Sequence, residues 1–495
     1  MKKLLRPICL LLCLLMLTGC SKAPSSVPWL DLPAVQAGPE APVGDAGLQH
    51  DMIAALYLPS LDKQSLLTVF EPISISRALH PAEAILRALL NHPGNQRVRP
   101  LGGSVTLMLA GASPVEISGR VCTVHLSANA LMLSTQDLFT AALAITATLC
   151  ELDDIDYVNL LVAGVPLAVD VAGNLPLGTL SAQLGQELSV LWEQAISRRT
   201  PVGELPAHTP LTSAATLYFP LQDGTGIISE PRRISFPGQH PQQLVTSLLE
   251  ALSAGADTLA QTPDMPDLNA MLIFAPEVTE LDSGGRRITL HFTSDVEQRL
   301  LSAGCDPVCT FAAMTTTLTT FVPSAQQVCI LVGDGALSSL YSPVMGSLLF
   351  PGALQTRADF APMLMEQTVI YAPSEGRLRP MARALPYRSA CNPRTLLLTL
   401  SEQGVIPMGL TDADVLGLSI LDGTLLVNFS QRYAQIIQAS ATDQRLIAYA
   451  LVNTLCETLD IRRVRFYFSS EAVDHLDGDL LWSGMFLYNP ALIAP

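Results

Sequence analysis

Leu56-Tyr57-Leu58-Pro59 returns as Leu217-Tyr218-Phe219-Pro220 and again as Ile370-Tyr371-Ala372-Pro373. The prolines are 161 and 153 residues apart, so the chain repeats itself on the scale of a small domain. A second mark follows each time. His80-Pro81, His240-Pro241 and Asn392-Pro393 open the apolar runs Ala84–Leu90, Leu244–Leu249 and Leu396–Leu400. Proline suits a first helical turn, where its missing N–H costs nothing, and the preceding His or Asn suits a cap.

Two further marks complete the unit. Thr123-Val-His-Leu-Ser127, Thr289-Leu-His-Phe-Thr293 and Leu426-Val-Asn-Phe-Ser430 alternate as strands, the last after the turn pair Asp422-Gly423. Alternation places Val124, Leu126, Leu290, Phe292, Val427 and Phe429 on a buried face. The runs Ala141–Leu149, Phe311–Leu318 and Leu446–Leu455 are helical, and lead to the strands Tyr157–Val162, Gln327–Val332 and Arg463–Phe468. Each unit therefore reads strand, helix, strand, strand, helix, strand, an α+β domain with helices packed on one face of a sheet. The predicted units are 53–167, 214–335 and 368–495, the third being the most divergent. The linkers are 168–213, with a helix, and 336–367.

Composition fits a chain of folded domains. Hydrophobic residues make up 49% of the 495 and charged residues 15%, which excludes a disordered chain. The net charge is −16, so the whole chain has no basic footprint for nucleic acid.

The first 19 residues read as a secretory signal: Lys2, Lys3 and Arg6, an apolar run Ile8–Leu17, then Leu17-Thr18-Gly19-Cys20. That ending resembles the bacterial lipobox, in which cleavage falls between Gly19 and Cys20. The resemblance implies a Cys20 thiol carrying lipid, with acyl chains such as palmitate. The lipid bilayer would then be a partner, with the body outside the cytoplasm and 20–52, rich in Pro and Ala, as a tether.

The repeated marks resemble the GerM-type sporulation and germination domain over about 53–167, 214–335 and 368–470. What carries the resemblance is the aromatic-x-Pro opening strand, the following helix, the Val/Leu-[His/Asn]-Phe/Leu-Ser/Thr strand and the final helix–strand pair. It implies three tandem copies in an envelope lipoprotein with a structural or assembly role. Its partners would be other envelope or sporulation proteins, or copies of itself. It implies no catalytic residue and no cofactor.

His125 and His291 hold matching strand positions opposite the buried face, pointing to solvent or an interdomain surface rather than a metal. His80 and His240 read as caps. Glu151, Asp153, Asp154 and Asp156 form an acidic loop without the EF-hand order, as do Asp474, Asp477 and Asp479 around Gly478. No nucleophile elbow, His-Glu-x-x-His, Walker A loop or dinucleotide fingerprint occurs, so an enzyme is not expected. Of the seven cysteines beyond Cys20, Cys305 and Cys309 are the candidates for a local disulfide, and buried free thiols are the expectation for the others. The alternative to an assembly protein is an envelope lipoprotein that binds a ligand or a cell-wall fragment. An envelope hydrolase with an unrecognised site is a third reading.

Overall fold

The computed structural model of the chain describes residues 39–76, 80–111, 113–170, 173–197, 210–259, 261–459 and 461–494. Gly19, Cys20 and the expected signal lie outside the described residues. The chain separates into Met1–Ala41 and a compact body, Pro42–Pro495.

In the first unit β1 (Gly44–Gly47) precedes the hairpin β2 (Gln49–Pro59) and β3 (Leu66–Ser76), then α1 (Pro81–Asn91). The antiparallel pair β4 (Val115–Ser118) and β5 (Val121–Leu126) follows. Helix α2 (Thr135–Leu149) then leads to β6 (Tyr157–Val162), which pairs parallel with β5. Helix α3 (Leu188–Ser197) occupies the first linker.

The same order returns twice. The second unit has hairpin β7 (Leu211–Pro220) and β8 (Ile227–Phe236), then α4 (Pro241–Ser253). The pair β9 (Glu277–Glu280) and β10 (Arg286–Phe292), helix α5 (Pro307–Phe321) and β11 (Ala325–Val332) complete it. The third has hairpin β12 (Met365–Ser374) and β13 (Arg377–Pro386), then α6 (Pro393–Glu402). It closes with the pair β14 (Val415–Leu421) and β15 (Thr424–Phe429), helix α7 (Gln444–Leu459) and β16 (Arg463–Phe468). The α+β class and the helix-on-sheet packing agree with the reading of the sequence. The single expected opening strand is in each case a hairpin in a two-stranded sheet of its own.

The long helix of each unit touches both its hairpin and its sheet. That explains its composition. Helix α5 is buried along its whole length, so it is apolar on every side rather than amphipathic. Some of its threonines bond within the helix: Thr319 Oγ1 donates to the Thr315 carbonyl at 2.7 Å, and Thr310 Oγ1 to the Asp306 carbonyl at 2.8 Å. The six alternating residues expected to be buried are all sealed from solvent.

One contact repeats in all three units. The Tyr57 N–H donates to Thr148 Oγ1 at 3.0 Å, Tyr218 N–H to Thr317 Oγ1 at 2.9 Å, and Tyr371 N–H to Thr454 Oγ1 at 3.0 Å. Each tyrosine is the aromatic of the opening mark, and each threonine precedes a leucine near the end of the long helix. The helix thereby supplies an acceptor for a strand N–H that the hairpin does not use.

The first two units share one hydrophobic core, and the third has its own. The tether ends earlier than expected. Within 42–52, β1 pairs parallel with β14 of the third unit, and β2 begins at Gln49. The cause is in the glycines. A Cβ on Gly417 would stand 2.4 Å from the Pro42 carbonyl oxygen, so only glycine admits the strand there.

Candidate functional site: the joint between the units

The first two units meet around a buried ion pair. Glu116 on β4 accepts from Arg357 Nε at 2.8 Å and lies 2.6 Å from Arg357 Nη2. Arg357 comes from the connector after the second unit. It also donates to Tyr218 Oη at 3.0 Å and to Thr320 Oγ1. Burial alone would raise the Glu116 carboxyl, but Arg357 and His125 outweigh it and hold the pKa down at about 2. The guanidinium is thus tied to both units, with these three oxygens, from strand, hairpin and helix, around it.

A second buried network lies in the same joint. Thr179 Oγ1 donates to Asn159 Oδ1 at 2.8 Å, and Asn159 Nδ2 donates to Thr216 Oγ1 at 3.0 Å. A third contact pairs two serines, each hydroxyl with the other's backbone. Ser229 N–H donates to Ser118 Oγ at 3.0 Å, and Ser229 Oγ donates back to the Ser118 carbonyl at 2.5 Å. Gly119 makes this approach possible: its φ is +55°, and a Cβ would stand 1.9 Å from the Ser229 carbonyl oxygen.

The third unit joins the other two at the same place. Ser118 Oγ donates to the Met365 carbonyl at 2.6 Å, Tyr387 Oη to the Val115 carbonyl at 2.8 Å, and Gln261 Nε2 to the Ala382 carbonyl at 2.5 Å. From the other end, Asp45 on β1 takes Arg394 Nε and Nη2 at 2.6 and 2.7 Å. A cavity of about 460 Å³ lies at the junction, with walls from all three units.

The residues singled out in the sequence have mostly structural partners. His80 caps α1 through Nδ1, which accepts from Ala82 N at 3.2 Å, and its Nε2 lies 2.6 Å from Asp154. His240 precedes α4 but makes no side-chain cap bond, while Asn392 accepts from Arg394 N and Thr395 N. His125 does reach an interdomain surface, with Nε2 3.3 Å from Glu116. His291 Nε2 lies 2.5 Å from the Gly333 carbonyl oxygen, on its own unit. The matching Asn428 is fully buried instead, because β1 covers it: its Nδ2 donates to the Pro42 carbonyl at 2.9 Å.

Three of the four acidic side chains in the first loop have partners, Asp154 through His80. Glu151 accepts from Tyr57 Oη at 2.6 Å, and Asp156 accepts from Arg120 Nε at 2.5 Å. Asp474 accepts from Ser483 Oγ at 2.5 Å. Among the described residues, no group of three His, Cys, Asp or Glu side chains is placed to hold a metal ion.

The expected Cys305–Cys309 disulfide is absent; both are buried free thiols. Their sulfurs point to different partners. Cys305 Sγ lies 3.6 Å from the Asp264 carbonyl oxygen and Cys309 Sγ 3.4 Å from that of Gly224. Asp306 between them caps α5 by accepting from Cys309 N at 3.1 Å, which fixes Cys309 in the first helical turn. Burial raises the pKa of both thiols, of Cys305 to about 11.

Sequence reasoning missed Arg357, Glu116 and the three threonines. The threonines carried a signal, since Thr148-Leu149, Thr317-Leu318 and Thr454-Leu455 recur at matching places. Arg357 carried none, because it lies in a linker and its partner is 241 residues away.

The family model for Germane, sporulation and spore germination, matches residues 55–168 and 371–474. The middle unit lies between these matches. No curated protein matches the chain. Among solved structures, the tandem GerMN domains of the sporulation protein GerM from Bacillus subtilis are similar at 17% identity, covering 58% of this chain and 92% of that one, with a TM-score of 0.22. A candidate lipoprotein from Clostridium perfringens is similar at 17% identity, covering 28% of this chain and 91% of that one, with a TM-score of 0.18. Residues 55–168 and 371–474, in the first and third of its units, are thus similar to the Germane family of sporulation and spore germination.

Proposed function

We propose that the chain is an assembly protein of sporulation or germination, held on the outer face of the cell membrane by acylated Cys20 and working through protein contacts of its three units. The observation that carries this reading is the pair of Germane matches at 55–168 and 371–474. The joint supports it. Buried bonds between the units make one body with a fixed outline, which suits a scaffold better than a hinge.

The surface supports it too. Ile53 and Phe70 on the first hairpin are 71% and 70% exposed, and Phe274 beside β9 is 64% exposed. Large apolar side chains in that position offer contact area to another protein. The reading assigns no catalytic residue, no cofactor and no nucleic-acid contact. The test is a strain lacking the chain, scored separately for heat-resistant spores and for germination. A fall in either is expected, and normal values for both contradict the proposal.

A further inference from the structure

The cavity at the three-unit junction has features that the joint does not use. Its walls include Arg120 and Asp154 from the first unit, Glu230 from the second, and Glu366 and Thr458 from the third. Most of these charges are satisfied. Arg120 is held by Asp156, Asp154 by His80, and Glu230 by Arg232 and the Thr258 N–H and hydroxyl. The Glu366 carboxylate accepts backbone N–H bonds from Arg120, Gln367 and Gly119, yet two atoms in the cavity wall remain without a partner. Glu366 Oε2 and Thr458 Oγ1 are both sealed in the protein with no hydrogen-bond partner there. Both belong to residues that line this cavity.

An unpartnered buried carboxyl oxygen is costly, so its place in a cavity wall points to a group that enters from outside. A carboxylate and a hydroxyl can both accept hydrogen bonds, and an ammonium group has three to give. Burial and the neighbouring Asp154 push the Glu366 carboxyl up to about 8, so it holds a proton at neutral pH until a cation arrives.

We propose that the cavity between the three units is a binding site for a small primary amine, whose ammonium group is received by Glu366 and Thr458. The ligand would bridge the units at their common contact and reinforce the joint. Binding ionises Glu366: the carboxyl O–H bond breaks, the proton passes to buffer, and the carboxylate pairs with the ammonium.

The experiment is calorimetric titration of the full chain, purified in detergent, at pH 7. The probes are butylamine and 1,4-diaminobutane, with butyrate as the anionic control. Running each in two buffers of different ionisation heat counts protons. The expected result is saturable amine binding with release of close to one proton, and no butyrate binding. Glu366→Gln should abolish the proton release and weaken binding at least tenfold, and Thr458→Val should weaken it several-fold with the proton release retained. Both replacements keep the side-chain shape, and circular dichroism confirms the fold. Absence of saturable heat with either amine overturns the proposal. So does binding that Glu366→Gln leaves unchanged, or a preference for butyrate.

Discussion

Replacing Glu116 by Gln should cost the body about 3 kcal/mol at pH 7, and the structure fixes both the size and the sign. Its carboxyl falls from an ordinary 4.5 to about 2 in the folded chain. Each factor of ten in proton affinity is worth about 1.4 kcal/mol, so ionised Glu116 favours folding by about 3 kcal/mol. Breaking a buried pair from one side costs about 3–5 kcal/mol, which agrees. Because the folded pKa is the lower one, this stability is complete above about pH 4.5 and disappears as pH falls towards 2. The assay is urea unfolding of a chain beginning at Ser21, with Trp29 and Trp482 replaced by Phe. Trp192 is then the reporter; its ring lies 5.4 Å from that of Phe139 in the first unit. Arg357→Met should destabilise by a similar amount, because it strands a buried carboxylate. The double variant should cost clearly less than the two single costs added, because no charge is then stranded. A cost below about 1 kcal/mol, as for an exposed pair, or strict additivity, would refute the reasoning.

Three other outcomes follow from the structure. Gly119→Ala should destabilise the joint by more than about 2 kcal/mol, since the new Cβ meets the Ser229 carbonyl oxygen at a positive φ; the same urea assay measures it. Stability should fall between about pH 4.5 and 8 as Glu366, whose folded pKa is the higher one, loses its proton; Glu366→Gln should flatten that part of a melting-temperature profile. Alkylation of denatured, unreduced protein should label both Cys305 and Cys309, and a peptide mass with the two still joined would contradict the free thiols.

The repeated units were legible because their marks are local. Aromatic-x-Pro, the capped helix and the alternating strand each rest on backbone rules that act within a few residues. The second strand of every hairpin was not legible. Each carries a proline, Pro72, Pro231 or Pro380, which argues against a strand by its missing N–H. These strands form two-stranded sheets, so an edge is free to accommodate the proline. The β3 burial pattern adds little signal, because most of its residues are only half-buried or exposed. The joint was illegible for a different reason. Arg357 and Glu116 are ordinary charged residues until the fold brings them together, and no period or spacing in the chain announces that meeting. The end of the tether was misread because Gly44–Gly47 is stabilised as a strand by β14, more than 350 residues later, and not by its own composition.

The central claim is that the chain serves sporulation or germination through contacts made by its surface. Heat-resistant spore counts in a deletion strain complemented with either the native chain or a Phe70→Asp, Phe274→Asp variant test it directly. Both residues are exposed, and circular dichroism of the purified variant checks that the fold is kept. The account predicts that the native chain restores the count and the variant does not. Equal restoration by both, with the variant present at native abundance, would contradict it.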